Sequence, residues 1–379
     1  MIKKIKEDYS SIYKVNPQVI VRAPGRINII GEHTDYNYGL AMPAAINKYV
    51  FVSMSFNKDR KINIYSDQFD DKVSFSLDNL SGSKTWHKYV LGSIQEVFKS
   101  HNVSSGLNIS IHSNLPMGKG VSSSAALEVA LVNSLFEIFN IDKDDNEIIK
   151  ICQKIDHKYI GIQSGVLDQS ASQLSKADNI LKLDFNNDSF DYINSNFSGC
   201  TWIVVDSMIK RELSASKYHE RVNECKEALA IISKLLNKKI SFRDIKSNNL
   251  SLLDNPTLKN RIKHYIDENQ RVIQMEDSIS NNDKSSIGEV LIESHRSLRD
   301  LYEVSCKEID YLFSISSNFK YWYGGRIMGG GFGGSMINLV KNGYEEEYSN
   351  FIKEKYKQKF NIDADIFNVQ FSNGVEVLA

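Results

Sequence analysis

The chain has few cysteines, no long apolar run and almost no net charge, and each shortage removes a class of function. Its four cysteines, Cys152, Cys200, Cys225 and Cys306, stand far apart in 379 residues. They form neither the C-x-x-C pairs of a metal knuckle nor the density of a disulfide scaffold, so they read as reduced core or surface residues. With 46 basic against 47 acidic side chains, the net charge is −1. That balance leaves no electrostatic footprint for nucleic acid or an anionic membrane. No stretch approaches the length needed to span a bilayer, and the opening MIKKIKEDYSSIYKV carries lysines without the apolar centre of a signal peptide. Internal repeats and low-complexity tracts are lacking too. The expectation is a cytoplasmic, monomeric protein that works on small molecules.

What is present is an ordinary globular composition, 41% hydrophobic and 25% charged. A chain of 379 residues is long for a single core, so two domains with a cleft between them are expected. Residues 18–23 and 27–30 read as short strands on either side of a turn at Pro24 and Gly25. Residues 46–56, 61–65, 72–75 and 107–112 read as further strands, and 86–98 and 144–159 as helices. Composition turns to Asn, Asp and Ser over 185–198, before a strand at 201–205, which places the boundary between domains at 1–190 and 191–379. The second half is largely helical, at 216–236, 256–280, 285–302 and 307–316, with strands expected at 335–340 and 366–371. The fold class is α/β (α+β), with mixed sheets and flanking helices.

The chain is organised around residues 115–136, LPMGKGVSSSAALEVALVNSLF, a glycine-bearing turn that runs through three serines into an apolar helix. The first turn of a helix leaves backbone N–H groups without intrahelical partners, and the aligned peptide dipoles favour an anion there. Gly118 and Gly120 would let a phosphate approach the backbone. Ser122, Ser123 and Ser124 supply hydroxyls that can cap the helix, bind phosphate oxygens or ligate a hard cation. Leu127, Ala130, Leu131, Ser134 and Leu135 keep helical spacing, so the helix is expected to be buried. On this stretch alone, a serine-rich loop that merely caps a core helix is an equal reading. The Walker pattern G-x-x-x-x-G-K-[ST] fails, because Lys119 lies between the glycines; that lysine could touch phosphate, but it is expected to face solvent.

Other stretches give that junction company. Arg26, Glu32, His33 and Asp35 crowd around GEHTDYNYG, the mix of charged donors and acceptors that a many-hydroxyl sugar needs; the alternative is a solvated loop. Asp168 follows two glycines in GIQSGVLDQSAS, with Asp156 twelve residues before it, though an aspartate near glycines is usually a turn or cap residue. Trp86 could flank an adenine ring, but an aromatic at a helix start is more often core. Seven of the 21 glycines fall between Gly324 and Gly334. Such density weakens ordered structure through entropy, so a loop that lines the site near the phosphate region is expected.

Three stretches, RAPGRINIIGEHTDY, LPMGKGVSSSAALEVA and MGGGFGGSMINL, together resemble the GHMP small-molecule kinases, and GRxNxIGEHxDY closely resembles the galactokinase signature of that family. GVLDQ, SKYHERVNEC and WHKYVLG extend the likeness over nearly the whole chain. The resemblance implies a two-domain kinase that holds ATP in the glycine-serine loop, at Trp86, Pro116, Gly118, Gly120, Ser122, Ser123 and Ser124. Galactose would then bind in the cleft through Glu32, His33, Asp35, Gly165 and Tyr218. It further implies that Arg26 and Asp168 face the anomeric hydroxyl, Asp168 as base, and that Ser124 and Asp156 hold Mg²⁺. The implied reaction is transfer of the γ-phosphoryl group to the C1 hydroxyl. Another sugar 1-kinase, for N-acetylgalactosamine or arabinose, or a silent sugar and ATP sensor, are the rivals. Departures from the family pattern are Asp156 for a glutamate, Leu167 for a methionine, Val222 for the second arginine of a pair and Met328 for a threonine.

Overall fold

The structure, a computed structural model, describes residues 1–116, 119–195, 198–209 and 214–379. The first half runs α1 (Ile2–Tyr13), β1 (Val19–Ile30), β2 (Leu40–Asn57), β3 (Lys61–Ser66), β4 (Asp71–Ser76), α2 (Thr85–His101), β5 (Gly106–Ser113), α3 (Ser123–Ile138), α4 (Asp145–Ile155), α5 (Leu167–Leu174), β6 (Asn179–Asp184) and β7 (Ser189–Asn194). The second continues with β8 (Cys200–Asp206), α6 (Ser214–Leu235), α7 (Pro256–Ser280), α8 (Lys284–Asp300), α9 (Lys307–Ser316), β9 (Trp322–Met328), β10 (Ser335–Lys341), α10 (Glu345–Phe360), β11 (Asp365–Val369) and β12 (Glu376–Val377).

The first sheet has the order β12-β1-β2-β5-β3-β4, with β6 joined to β2 and β7 to β6. Only β3 and β5 run parallel within it. The expected turn at Pro24 and Gly25 is instead part of one continuous strand, β1, which shifts its register against β2 between Pro24 and Arg26. A register irregularity accommodates a proline that has no N–H for the ladder. The Asn- and Asp-rich residues 186–188 form the turn of the β6–β7 hairpin, with Asp188 at φ 51°. Short polar side chains tolerate that left-handed conformation.

Helix α3 packs over β1 and β2 at the centre of this half. It is apolar on nearly every face, and Val129, Leu131, Val132, Leu135 and Phe136 are fully buried. Each such side chain contributes about 1.5–3 kcal/mol by leaving water. Two of its polar members are satisfied within the core: Asn133 Nδ2 donates to Val129 O and Gln173 Oε1, each at 2.8 Å, and Ser134 Oγ to Ala130 O at 2.7 Å. A helix so anchored fixes its own N-terminus in space.

The second sheet, β11-β8-β10-β9, is antiparallel and carries α8 and α9 against β9. Gly324 and Gly325, expected in a loop, belong to β9. A Cβ on Gly324 would lie 2.2 Å from Gly288 O, and one on Gly288 would lie 2.1 Å from Tyr323 O. Those glycines therefore let α8 lie directly on the strand. Val272 and Met275 of α7, with Ile287 and Leu291 of α8, enter the same apolar core as β1, β2 and α3. The C-terminus returns to the first sheet, where β12 pairs with β1. One core thus ties the helical half to the strand that carries Arg26.

Candidate active site

A cavity of about 480 Å³ gathers residues from six separated stretches, one of them Tyr89 of α2. Arg26, Glu32, His33 and Asp35 come from β1 and the loop after it; Gly120, Ser122, Ser123 and Ser124 from the head of α3. Asp156, Gly165 and Asp168 form one wall, Tyr218 of α6 and Gly329 and Gly330 another. The strand that follows the glycine-rich turn touches the serine loop directly, through Ser335 Oγ at the start of β10, which donates to Lys119 O at 2.7 Å.

At the floor, Arg26 is buried and its Nε and Nη2 both reach Asp168 Oδ1 at 2.7 Å. Its Nη1 donates to Gly120 O at 2.5 Å, and its backbone N–H to Val121 O at 3.1 Å. One guanidinium thereby links β1, the serine loop and α5. Asp168 sits in the first turn of α5, where the helix dipole favours a carboxylate. The other oxygen of Asp168 accepts from Ser122 Oγ.

On one side of this pair, His33 is buried, with Nδ1 2.9 Å from Tyr36 Oη and Nε2 without a partner among the described residues. Burial, with the charges of His264 and Arg221, pushes its pKa down to about 3, so the ring is neutral and offers Nε2 to a ligand. Burial, then the nearby charge of Asp168, pushes Asp35 up to about 7. A Cβ on Gly165 would lie 1.9 Å from Asp35 Oδ2, so only glycine lets that chain approach the carboxylate. Tyr218 lies 5.6 Å from the His33 ring and 5.4 Å from Tyr36, and burial holds its phenol protonated, an O–H donor.

On the other side, α3 begins after Ser122, the cap position, which has φ 54° and makes no side-chain cap. The plain-cap reading of Ser122 therefore gives way: its hydroxyl donates to Asp168, and the first turn of α3, whose N–H groups have no intrahelical partners, lies among the residues that line the cavity. Ser123 and Ser124 also line a narrower, mostly apolar cavity of about 200 Å³ with Tyr89, Leu127 and Trp86. Trp86 is buried there, stacked on Phe69 at 5.5 Å, so it is a core aromatic that also forms a wall of that slot. Pro116 lines neither cavity, and Gly118 lies outside the described residues. Lys119, expected in solvent, forms an ion pair with Asp365 at the start of β11.

The donors suited to a cation are Ser124 and Asp156. Asp156 Oδ2 accepts from Ser164 Oγ and Gln169 Nε2, both at 2.9 Å, and burial raises its pKa. Glu128, one helical turn after Ser124, is fully buried beside it and, through burial and then the charge of Asp156, sits well above the usual carboxylate range. Among the described residues no three His, Cys, Asp or Glu side chains gather into a self-sufficient metal site. One carboxylate and one hydroxyl fit Mg²⁺, which keeps waters and takes its remaining ligands from substrate phosphates.

Residues 7–56 match the galactokinase galactose-binding signature, and residues 88–176 the N-terminal domain of GHMP kinases. A galactokinase of Thermosipho africanus is 38% identical over 355 residues, which cover 94% of this chain and 98% of that protein. One of Clostridium acetobutylicum is 34% identical over 388 residues, 99% of both. The crystal structure of Lactococcus lactis galactokinase complexed with galactose matches with a TM-score of 0.94 at 29% identity, over 100% of both chains. The chain belongs to the galactokinase family. It is a GHMP sugar kinase, and its fold is shared more widely: Methanococcus jannaschii mevalonate kinase matches with a TM-score of 0.67 at 19% identity, over 93% of this chain and 98% of that one.

Against the galactokinase pattern, the departures are accommodated by packing. Met328 is fully buried, with its Sδ 3.4 Å from the Asn28 N–H. Leu167 is buried at the start of α5. Val222 is buried and lines a second cavity, of about 610 Å³, behind Asp35 and Gly165, while Arg221 beside it donates to the carbonyls of Tyr302 at 2.7 Å and Glu303 at 3.2 Å. Tyr89, Glu128 and Gln169 were not legible as site residues in this galactokinase-family sequence. For Glu128 a signal existed: it stands at i+4 from Ser124 and interrupts the apolar run from Ala125 to Val132.

Proposed function

We propose that the protein transfers the γ-phosphoryl group of ATP to the C1 hydroxyl of α-D-galactose, giving galactose 1-phosphate and ADP. The observation that carries this reading is the Arg26–Asp168 pair at the floor of one cavity, between the open head of α3 and the unpartnered Nε2 of His33. Phosphoryl transfer proceeds through a loose transition state, so positioning and charge neutralisation outweigh strong deprotonation.

In this reading, the first-turn N–H groups of α3 with Ser123 and Ser124 bind the phosphate chain. The slot beside Trp86 and Tyr89 takes the adenine. Mg²⁺, held by Ser124 and Asp156, would supply positive charge against the phosphates. Glu32, His33, Asp35 and Tyr218 bind sugar hydroxyls and hold C1–OH toward Asp168. Asp168 takes the proton of that hydroxyl, and Arg26 orients Asp168 and offsets the charge gathering at the transferred group. The four cysteines are free and no described helix is long and apolar enough to cross a membrane; a cytoplasmic monomer belongs to the same proposal.

A coupled ADP-release assay over a panel of sugars tests it. Galactose turnover that EDTA abolishes and Mg²⁺ restores is the expected result. Selective turnover of N-acetylgalactosamine or arabinose would replace the substrate, and sugar binding without any turnover would replace the enzyme with a sensor.

A further inference from the structure

The loop that presents the sugar-facing side chains, residues 31–40, is gripped by its main chain from α7, more than 220 residues away in sequence. Glu268 is fully buried, and its Oε1 accepts the N–H of Gly31 at 3.0 Å and of Glu32 at 3.2 Å, together with Ser294 Oγ at 2.9 Å. One turn earlier, His264 Nε2 lies 3.1 Å from the carbonyl oxygen of Glu32, and its Nδ1 2.8 Å from Ser297 Oγ. With the serine donating to Nδ1, the neutral ring donates from Nε2 to the carbonyl. The residue after Glu268 holds the far end of the loop: Asn269 Oδ1 accepts the N–H of Leu40 at 2.7 Å.

An i, i+4 pair on one helix face thus brackets both peptide groups of Glu32. The side chain of Glu32 is fixed separately, by Nη1 of the fully buried Arg326 at 3.0 Å. A buried carboxylate is costly unless it is paired and fully hydrogen-bonded, and an apolar residue at 268 would pack α7 with less risk. Glu268 meets that condition, since its Oε2 accepts from Nε of the buried Arg271 at 2.8 Å; its other oxygen, beyond that ion pair, sets the direction of two backbone N–H groups in the sugar loop.

We propose that Glu268 and His264 are positioning residues for the sugar: they set the main chain of residues 31–33, and so the aim of Glu32 and His33, without touching substrate. This rests on the reading of those side chains as the galactose site. Glu268→Ala and Glu268→Gln in the full chain, with galactose and ATP binding measured separately by calorimetry, test it. Glu268→Ala is expected to weaken galactose about tenfold or more while ATP stays within about twofold. Gln, whose amide oxygen still accepts from Gly31 and Glu32, is expected to recover most of the loss, and the Gly31 and Glu32 amide protons to move upfield in both variants as the charged acceptor disappears. Unchanged galactose affinity in Glu268→Ala, or equal loss for galactose and ATP, would overturn the proposal. If that variant does not fold, His264→Leu, which removes the donor to the Glu32 carbonyl together with the acceptor for Ser297 and leaves Glu268 in place, carries the same expectation and the same refuting outcomes. Wild-type protein that binds ATP but not galactose would instead refute the substrate reading.

Discussion

The two ends of the cleft are built from different materials. At the end proposed to take the sugar, buried charges hold other groups in fixed directions: Glu268 and Arg326 are fully buried and make two and three bonds, respectively, to β1 or the loop after it. At the end proposed to take the phosphates, the wall is a helix N-terminus with no side-chain cap, a left-handed Ser122 and half-buried hydroxyls. A neutral sugar is told apart by the directions of many hydrogen bonds, so its site gains from rigidity. A phosphate chain carries charge enough to be held by N–H groups and small hydroxyls that can adjust. Between the ends stands Asp168, bound by Arg26 from one side and Ser122 from the other.

Removing the group at that junction should have the largest effect. Asp168→Asn keeps the shape but loses the acceptor of the C1–OH proton, and turnover should fall by at least about two orders of magnitude while the KM for ATP stays nearly unchanged. Steady-state kinetics decide it; near-normal turnover would remove Asp168 from the mechanism. Next comes Gly165→Ala. Its Cβ would sit 1.9 Å from Asp35 Oδ2, so Asp35 must turn away, and the KM for galactose should rise about tenfold or more with ATP little affected. An equal rise in both constants would mean that the two ends are one mechanical unit, and the contrast between them would fail.

Asp35 allows a milder probe of the sugar end. Its pKa is raised to about 7, by burial first and Asp168 second. As a sugar ligand it accepts best when ionised, so galactose affinity should strengthen as pH rises through about 7, whereas Asp35→Asn should lose that dependence. Stability carries the opposite sign. A carboxyl whose folded pKa lies above its unfolded value stabilises the fold below the unfolded value, and that contribution is lost as pH rises through about 7. Calorimetry at about pH 6 and about pH 8 checks the affinity, and a flat profile in the wild type would take Asp35 out of the sugar contacts.

How much of this was legible in the sequence follows the range of the interactions. Local patterns gave α3, the serine junction and most strands, since periodicity and turn chemistry act over a few residues. They failed at Pro24–Gly25, where pairing with β2 overrode a turn signal, and at Gly324–Gly325, where contact with α8 explains glycines that read as a loop. Most of the side chains that line the cavity could be named because their motifs are compact. Their support could not: nothing local to HYIDENQR says that His264 and Glu268 reach the loop after β1, because that contact exists only once α7 has packed on the first half.

Lys119 supplies the smallest expected effect and the sharpest test of how the phosphate end works. As the lysine between the glycines of the serine loop it could be taken for a phosphate ligand, yet its ammonium pairs with Asp365 of the second sheet. The pair is partly open, with the lysine side chain 21% and the aspartate 44% exposed, so it contributes no more than about 1 kcal/mol to stability. Lys119→Met should therefore leave the KM for ATP within about threefold and lower the melting temperature by a few degrees at most. If instead the KM for ATP rose a hundredfold or so while melting stayed put, the lysine would be leaving Asp365 for the phosphates. The phosphate end would then recognise its ligand through a recruited charge and not, as proposed, through the head of α3.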